Sequence, residues 1–209
     1  MAYIIRPSYA DKYCGTQVEL SGEATALKQF FATTKAHPDT IAEANWVSGT
    51  YIPPEVVPAR VKITKGKRLF DWRTIRGGAT LVSSRFKDIV EAIEPAKHQF
   101  FPIAVDQKTG ELLGGQFYIF NVVGRIDSII EEESNLQPTG KGVVASWIYQ
   151  RKTGEWRCAV NTNVIAGRAC WTESHFGQVW FVSDKTAHEL RSQKLLGFHL
   201  DEYCVEIAR

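Results

Sequence analysis

Five histidines, four cysteines, one run of three carboxylates and one cluster of bases are the groups in this sequence from which a site could be built. His37, His98, His175, His188 and His199 form no HExxH or HxH pair, and none has a cysteine at ligand spacing, so no metal site is encoded locally. Cys14, Cys158, Cys170 and Cys204 are scattered. They lack the CxxC spacing that offers two thiolates to a metal or makes a redox couple, and they read as reduced, buried, small apolar residues. Gly77-Gly78 and Gly114-Gly115 belong neither to a GxxxxGK[ST] loop nor to a GxGxxG turn, the patterns that aim several N–H groups at phosphate, and no cofactor is expected. Cys170 beside Trp171, with His175 nearby, is the nearest approach to a nucleophile and base. Adjacency in sequence does not supply the side-chain geometry such a pair needs, and no GxSxG elbow is present.

The charged groups are more pointed. Glu131, Glu132 and Glu133 follow Ile129-Ile130 as the densest acid run. Paired acids do general acid–base work when their surroundings hold one of them protonated, but three in a row fit a solvated helix end or loop better. Asp71 and Asp127, beside apolar or aromatic neighbours, are expected to cap turns. Between residues 60 and 76, Arg60, Lys62, Lys65, Lys67, Arg68, Arg73 and Arg76 outnumber the single acid Asp71. With Phe70 and Trp72 as stacking rings this segment could form a nucleic-acid-binding module. It could instead be an edge strand that its lysines protect from aggregation, both aromatics turned inward, and the absence of a nucleic-acid motif favours that use. A third use is docking on an acidic protein. Lys65, Lys67, Arg68 and Glu131 to Glu133 are therefore the candidate partner contacts.

These groups must be carried by ordinary globular elements. The chain of 209 residues is 44% hydrophobic and 23% charged, with a formal charge of +2, enough to bury a core unaided and too nearly neutral to argue for nucleic acid or membrane by charge alone. Residues 1–80 hold 11 basic and 7 acidic side chains, residues 81–209 hold 14 and 16, a mild dipole. The apolar stretch within Met1 to Pro7 is too short for a signal-peptide core and no later run could span a bilayer, so a cytoplasmic location is expected. A strand at Ala2 to Arg6, a helix around Glu23 to Thr33, a loop punctuated by His37-Pro38 and Ile52-Pro53-Pro54, and a strand at Arg60 to Thr64 make up an irregular N-terminal subdomain, residues 1–80. Beyond it Ser83 or Ser84 caps a helix whose Phe86, Ile89, Val90 and Ile93 share a face until Pro95. Gln99 to Val105 and Gln116 to Phe120 read as a hairpin, Val143 to Tyr149 and Trp156 to Val160 as a second one around Arg151 to Glu155. A capped helix from Ser183-Asp184 to about Lys194 and a strand over Phe198 to Ile207 close the chain. Leu81-Val82-Ser83-Ser84 and Phe181-Val182-Ser183-Asp184 echo one another, too weakly to establish a repeat. The pattern predicts an α+β fold of mostly antiparallel hairpins with a few capped helices, residues 81–209 forming the main domain.

Leu81-Val82-Ser83-Ser84-Arg85-Phe86 with Ile93-Glu94-Pro95, then His98-Gln99-Phe100-Phe101-Pro102-Ile103, Tyr118-Ile119-Phe120-Asn121 with Ile126-Asp127, and Phe181-Val182-Ser183 to Gly197-Phe198 together resemble immunity family eleven of bacterial polymorphic toxin systems. The resemblance runs over residues 80 to 207 and rests on order and spacing. It implies a non-enzymatic protein that binds and neutralises a cognate toxin, with no catalytic residues to carry over. Such a protein needs a complementary patch with aromatic or arginine anchors and a polar rim. Most of the six tryptophans, Trp46, Trp72, Trp147, Trp156, Trp171 and Trp180, are expected in the core. An inhibitor covering a nuclease's phosphate cleft does best with strong negative charge. Hence either the toxin is not a strongly basic nuclease or Glu131 to Glu133 supply a local acidic patch.

Overall fold

The apolar runs at Leu81-Val82, Tyr118 to Phe120 and Trp180 to Val182 are continuous rather than alternating. In the computed structural model they are strands buried on both faces, as expected of sheets covered on either side. The structure describes residues 1–8, 15–21, 24–34, 46, 48–76, 78–139, 146–149, 157–174 and 179–209, with the backbone alone for 137–139 and 146–149. Cys14, His37-Pro38, Gly77, the 151–155 turn, Trp156 and His175 lie outside the described residues.

In chain order the elements are β1 (Tyr3–Pro7), β2 (Gln17–Ser21), α1 (Thr25–Thr34), β3 (Arg60–Lys65), β4 (Trp72–Thr74), β5 (Thr80–Ser83), α2 (Ser84–Ile93), β6 (Gln99–Asp106), β7 (Phe117–Asn121) and β8 (Arg125–Ile126). Then come β9 (Leu136–Thr139), β10 (Ser146–Tyr149), β11 (Cys158–Asn161), α3 (Thr162–Ile165), β12 (Cys170–Glu173), β13 (Trp180–Val182), α4 (Asp184–Ser192), β14 (Phe198–Asp201) and β15 (Cys204–Ile207). Single 3-10 turns lie at Pro54–Val56 and Glu131–Glu133. The fold is α+β and dominated by its sheets.

One sheet has six strands in the order β2-β3-β6-β7-β5-β4, the other five in the order β14-β1-β13-β12-β8. Both draw strands from either side of residue 80. The β6–β7 hairpin is antiparallel, with Phe101 opposite Ile119, as its apolar runs and intervening turn predict. β3 pairs with β6 in parallel and with β2 in antiparallel fashion, so it is not an edge strand. The expected second hairpin is replaced by two other pairings. β10 lies antiparallel to β9, with Trp147 opposite Pro138, and β11 lies parallel to β15, with Cys158 opposite Cys204. The expected single strand over Phe198 to Ile207 is two, β14 pairing with β1 and β15 with β11, separated by Glu202 and Tyr203.

Side-chain alternation divides the interior into three cores. Val82, Tyr118 and Phe120 of the larger sheet meet Tyr3, Ile5, Trp180 and Val182 of the smaller one, with Phe86 and Val90 of α2 and Leu190 of α4 in the same cluster. Val61, Ile63, Leu81 and Ile119 project from the opposite face of the larger sheet onto Leu27, Trp46 and Ile52. Ile4, Trp171 and Phe181 project from the opposite face of the smaller sheet onto Cys158, Val160 and Cys204. Trp46, Trp72, Trp171 and Trp180 are all buried.

The two echoing segments build the same unit. Ser83 Oγ accepts from the Phe86 N–H and Ser183 Oγ from the Thr186 N–H, each satisfying a donor at the start of a helix. β5-α2-β6 and β13-α4-β14 are thus both strand, serine cap, helix and strand, and the two helices pack against each other.

Candidate partner-binding surfaces

β3 buries Val61 and Ile63 and exposes Arg60, Lys62 and Lys65, the alternation its sequence predicts. Its neighbours supply the acids that the local sequence lacks. Lys62 is opposite Glu19 on β2 and Asp106 on β6, Arg60 forms a two-pronged pair with Asp106, and Arg76 meets Glu19 at 3.1 Å. Asp71 works as an internal staple. Its carboxylate accepts from Ser83 Oγ at 2.8 Å and from the Leu196 N–H at 2.9 Å, with Arg85 at 3.6 Å. Trp72 is buried against Phe86 and Trp180, ring centres 5.2 and 5.4 Å away. Phe70 is half-buried beneath the Arg68 guanidinium at 5.0 Å. The segment therefore offers no freely exposed ring for base stacking, and much of its charge is met across the sheet.

What is left is the end of β3. Lys65, Lys67 and Arg68 are exposed, and no carboxylate among the described residues pairs with them. Gly66 turns the chain here at φ +78°, with Thr16 so close that a Cβ would lie 2.5 Å from its Oγ1. Thr16 Oγ1 donates to the Arg68 carbonyl at 2.7 Å, which fixes the turn to the start of β2.

Glu131, Glu132 and Glu133 form an exposed 3-10 turn packed beside β11. Glu132 pairs with Arg209, and Glu133 with Arg157 at 3.7 Å and Arg209 at 3.8 Å. Its own backbone N–H, with Arg209, holds the Glu132 carboxyl below the usual range. Two arginines thus offset much of the acid run. The basic end of β3 and the acid run belong to different sheets and do not form one site.

One half-buried carboxylate, Glu94, and one buried one, Glu173, carry no local signal in the sequence. Glu94, just past α2, accepts from Arg168 at 3.1 Å and from the Ala169 N–H at 2.8 Å, and His98 Nε2 lies 3.2 Å away. His98 Nδ1 accepts the Val123 N–H at 3.2 Å, which leaves Nε2 to donate to Glu94. Burial opposes the charge on Glu94, but these donors together hold its carboxyl below the usual range. Glu173 on β12 accepts from the Ser128 N–H at 2.9 Å, Ser128 Oγ at 2.6 Å and the Ser174 N–H at 2.8 Å. Burial pushes its carboxyl up even so. Both acids tie strands together rather than face a cavity.

The thiols are equally enclosed. Contact with Cys204 and burial push the Cys158 thiol far up, and burial does the same to Cys170, so neither is an accessible thiolate nucleophile. Among the described residues no three of His, Cys, Asp and Glu converge as metal ligands, and no helix is long and apolar enough to cross a membrane. An open groove of about 510 Å³ runs beside β14, lined by Arg191, Leu200, Glu202 and Tyr203 among others. Its charges are satisfied internally, Arg191 by Glu202 and Asp201 by Arg6 at 2.6 Å and His199 at 3.1 Å.

The family model described as Immunity protein family (Imm11) matches residues 21–204. No curated protein matches the chain.

Proposed function

The chain belongs to the Imm11 immunity protein family, and from that premise we propose that it binds a cognate protein toxin and neutralises it by contact rather than by catalysis. The observation that carries this reading is the extent of the family match, residues 21–204, which takes in the larger sheet beyond β2 and the smaller sheet beyond β1. The site chemistry is consistent with it. Glu173 and Cys170, pushed up by burial, and Cys158, pushed up by contact with Cys204 and by burial, are enclosed by protein, whereas catalytic groups must reach a substrate. The ion pairs of Glu132 and Glu133 with Arg157 and Arg209 weaken the acid run as a strong local patch. That favours a toxin that is not a strongly basic nuclease.

The test is co-expression with the toxin encoded beside this protein's gene. Cells that stop growing on toxin alone are expected to recover, and the two purified proteins to co-elute on gel filtration. Continued growth arrest, with the proteins eluting separately, contradicts the reading.

A further inference from the structure

The parallel register of β3 on β6, Arg60 opposite Ala104 and Lys62 opposite Asp106, carries the last residues of β3 to the end of the sheet where β6 turns. That turn bears exposed Lys108, and Leu112 just after it is 60% exposed, the most exposed large apolar side chain among the described residues. Four bases, Lys65, Lys67, Arg68 and Lys108, thus share one end of the sheet with an exposed leucine; of the acids described there, Asp106 is engaged by Arg60 and Glu111 is exposed. Both halves of this surface are held in place. Gly66 and Thr16 fix the β3 turn. The β6 turn is closed by the Gln107 N–H to the Glu111 carbonyl at 2.7 Å and the Leu113 N–H to the Val105 carbonyl at 2.8 Å. A surface ordered in advance loses little entropy on docking. Two other charged surfaces are matched within the molecule, the acid run by Arg157 and Arg209 and the β14 groove by Arg191 and Arg6.

We propose that this sheet end is the docking surface for the toxin, Leu112 as the apolar anchor and Lys65, Lys67, Arg68 and Lys108 as the rim, against an acidic face of the partner. The inference rests on the toxin-binding reading above and adds where the contact is made and the sign of the partner's charge. A protein fits this surface better than a nucleic acid because the exposed apolar group is aliphatic, while the two rings of the basic segment are buried, as Trp72 is, or covered, as Phe70 is by Arg68. Unmatched charge at the rim acts mainly on the rate of encounter, and a desolvated anchor acts on the lifetime of the complex.

The experiment measures association and dissociation of the full chain and the toxin encoded beside it, at low and high salt, for wild type, Lys65→Glu/Lys67→Glu and Leu112→Asp. All three side chains are exposed, so an unchanged melting temperature verifies that the variants fold. The double variant is expected to associate roughly 10-fold more slowly at low salt and to lose most of the salt dependence. Leu112→Asp is expected to speed dissociation by about 30-fold. Wild-type kinetics in both variants overturn the proposal. So does salt-sensitive binding of a fluorescein-labelled single-stranded oligonucleotide that the double variant loses while its toxin kinetics stay unchanged. If the wild-type chain forms no complex with the toxin, the toxin-binding reading itself has failed, an outcome distinct from a complex that ignores these residues.

Discussion

Glu94 and Glu173 are both carboxylates taken out of water, and their surroundings drive them in opposite directions. The folded pKa of Glu94 lies below its ordinary value of 4.5, so its contribution to stability is complete above that value and is lost as pH falls through the folded one. Glu94→Gln is expected to flatten the acid limb of a stability–pH curve measured by urea unfolding. At neutral pH Glu94→Ala should cost about 2 to 3 kcal/mol, because the Ala169 N–H and the His98 ring N–H lose their acceptor. Glu173 has the reverse sign. Its folded pKa is raised above 4.5, so its contribution is present below the unfolded value and is lost as pH rises through the folded one. Glu173→Gln lacks that loss. Its Tm deficit relative to wild type is expected to shrink as pH is raised from acid toward neutrality, and a constant deficit would contradict the assignment. Neither acid stands out in the sequence, because Ala169, Arg168 and Ser128 reach them only through tertiary packing. Of the three adjacent glutamates that do stand out, Glu132 and Glu133 are surface ion-pair partners.

At the scale of elements, what is local was legible. The cap and the shared face of α2 lie within one segment, Ser83 followed by Phe86, Ile89 and Val90, and a short turn brings β6 back to β7. β11 and β15 were not legible as a pair, because parallel strands have no connecting turn to announce them. Nor was the division of Phe198 to Ile207 into β14 and β15, since an extended apolar run reads the same whether it serves one sheet or two. Gly197, at the start of β14, is the element-scale test. Its φ is +106° and a Cβ there would lie 2.2 Å from the Trp72 carbonyl oxygen. Gly197→Ala is expected to destabilise by about 2 to 4 kcal/mol, lowering Tm by roughly 5 °C or more in a thermal melt. Ser183→Ala, which removes the α4 cap and the hydroxyl contact with Thr186, should cost about 1 kcal/mol.

The whole molecule turns on Trp72, whose ring meets Phe86 and Phe120 on one side and Trp180 and Phe198 on the other. Trp72→Ala is expected to cost about 3 to 5 kcal/mol and to lower the stability of both sheets together, with calorimetric and van't Hoff enthalpies equal in wild type and variant. Two separable transitions would show that the sheets fold independently. The α+β class followed from composition and periodicity. The stacking of two sheets around α2 and α4 did not, because the sequence does not say which face of a doubly apolar strand meets which helix. The same limit hid Glu19 and Asp106, the acids that answer the basic strand from its neighbours. One consequence of the five-stranded sheet concerns synthesis. β1 is flanked by β13 and β14, Ile5 lying opposite both Trp180 and Leu200. Tyr3 to Pro7 are synthesised long before these partners, so the smaller sheet closes only after β13 and β14 have emerged. A ribosome stalled before Trp180 would release a chain whose β1 lacks both of its sheet partners.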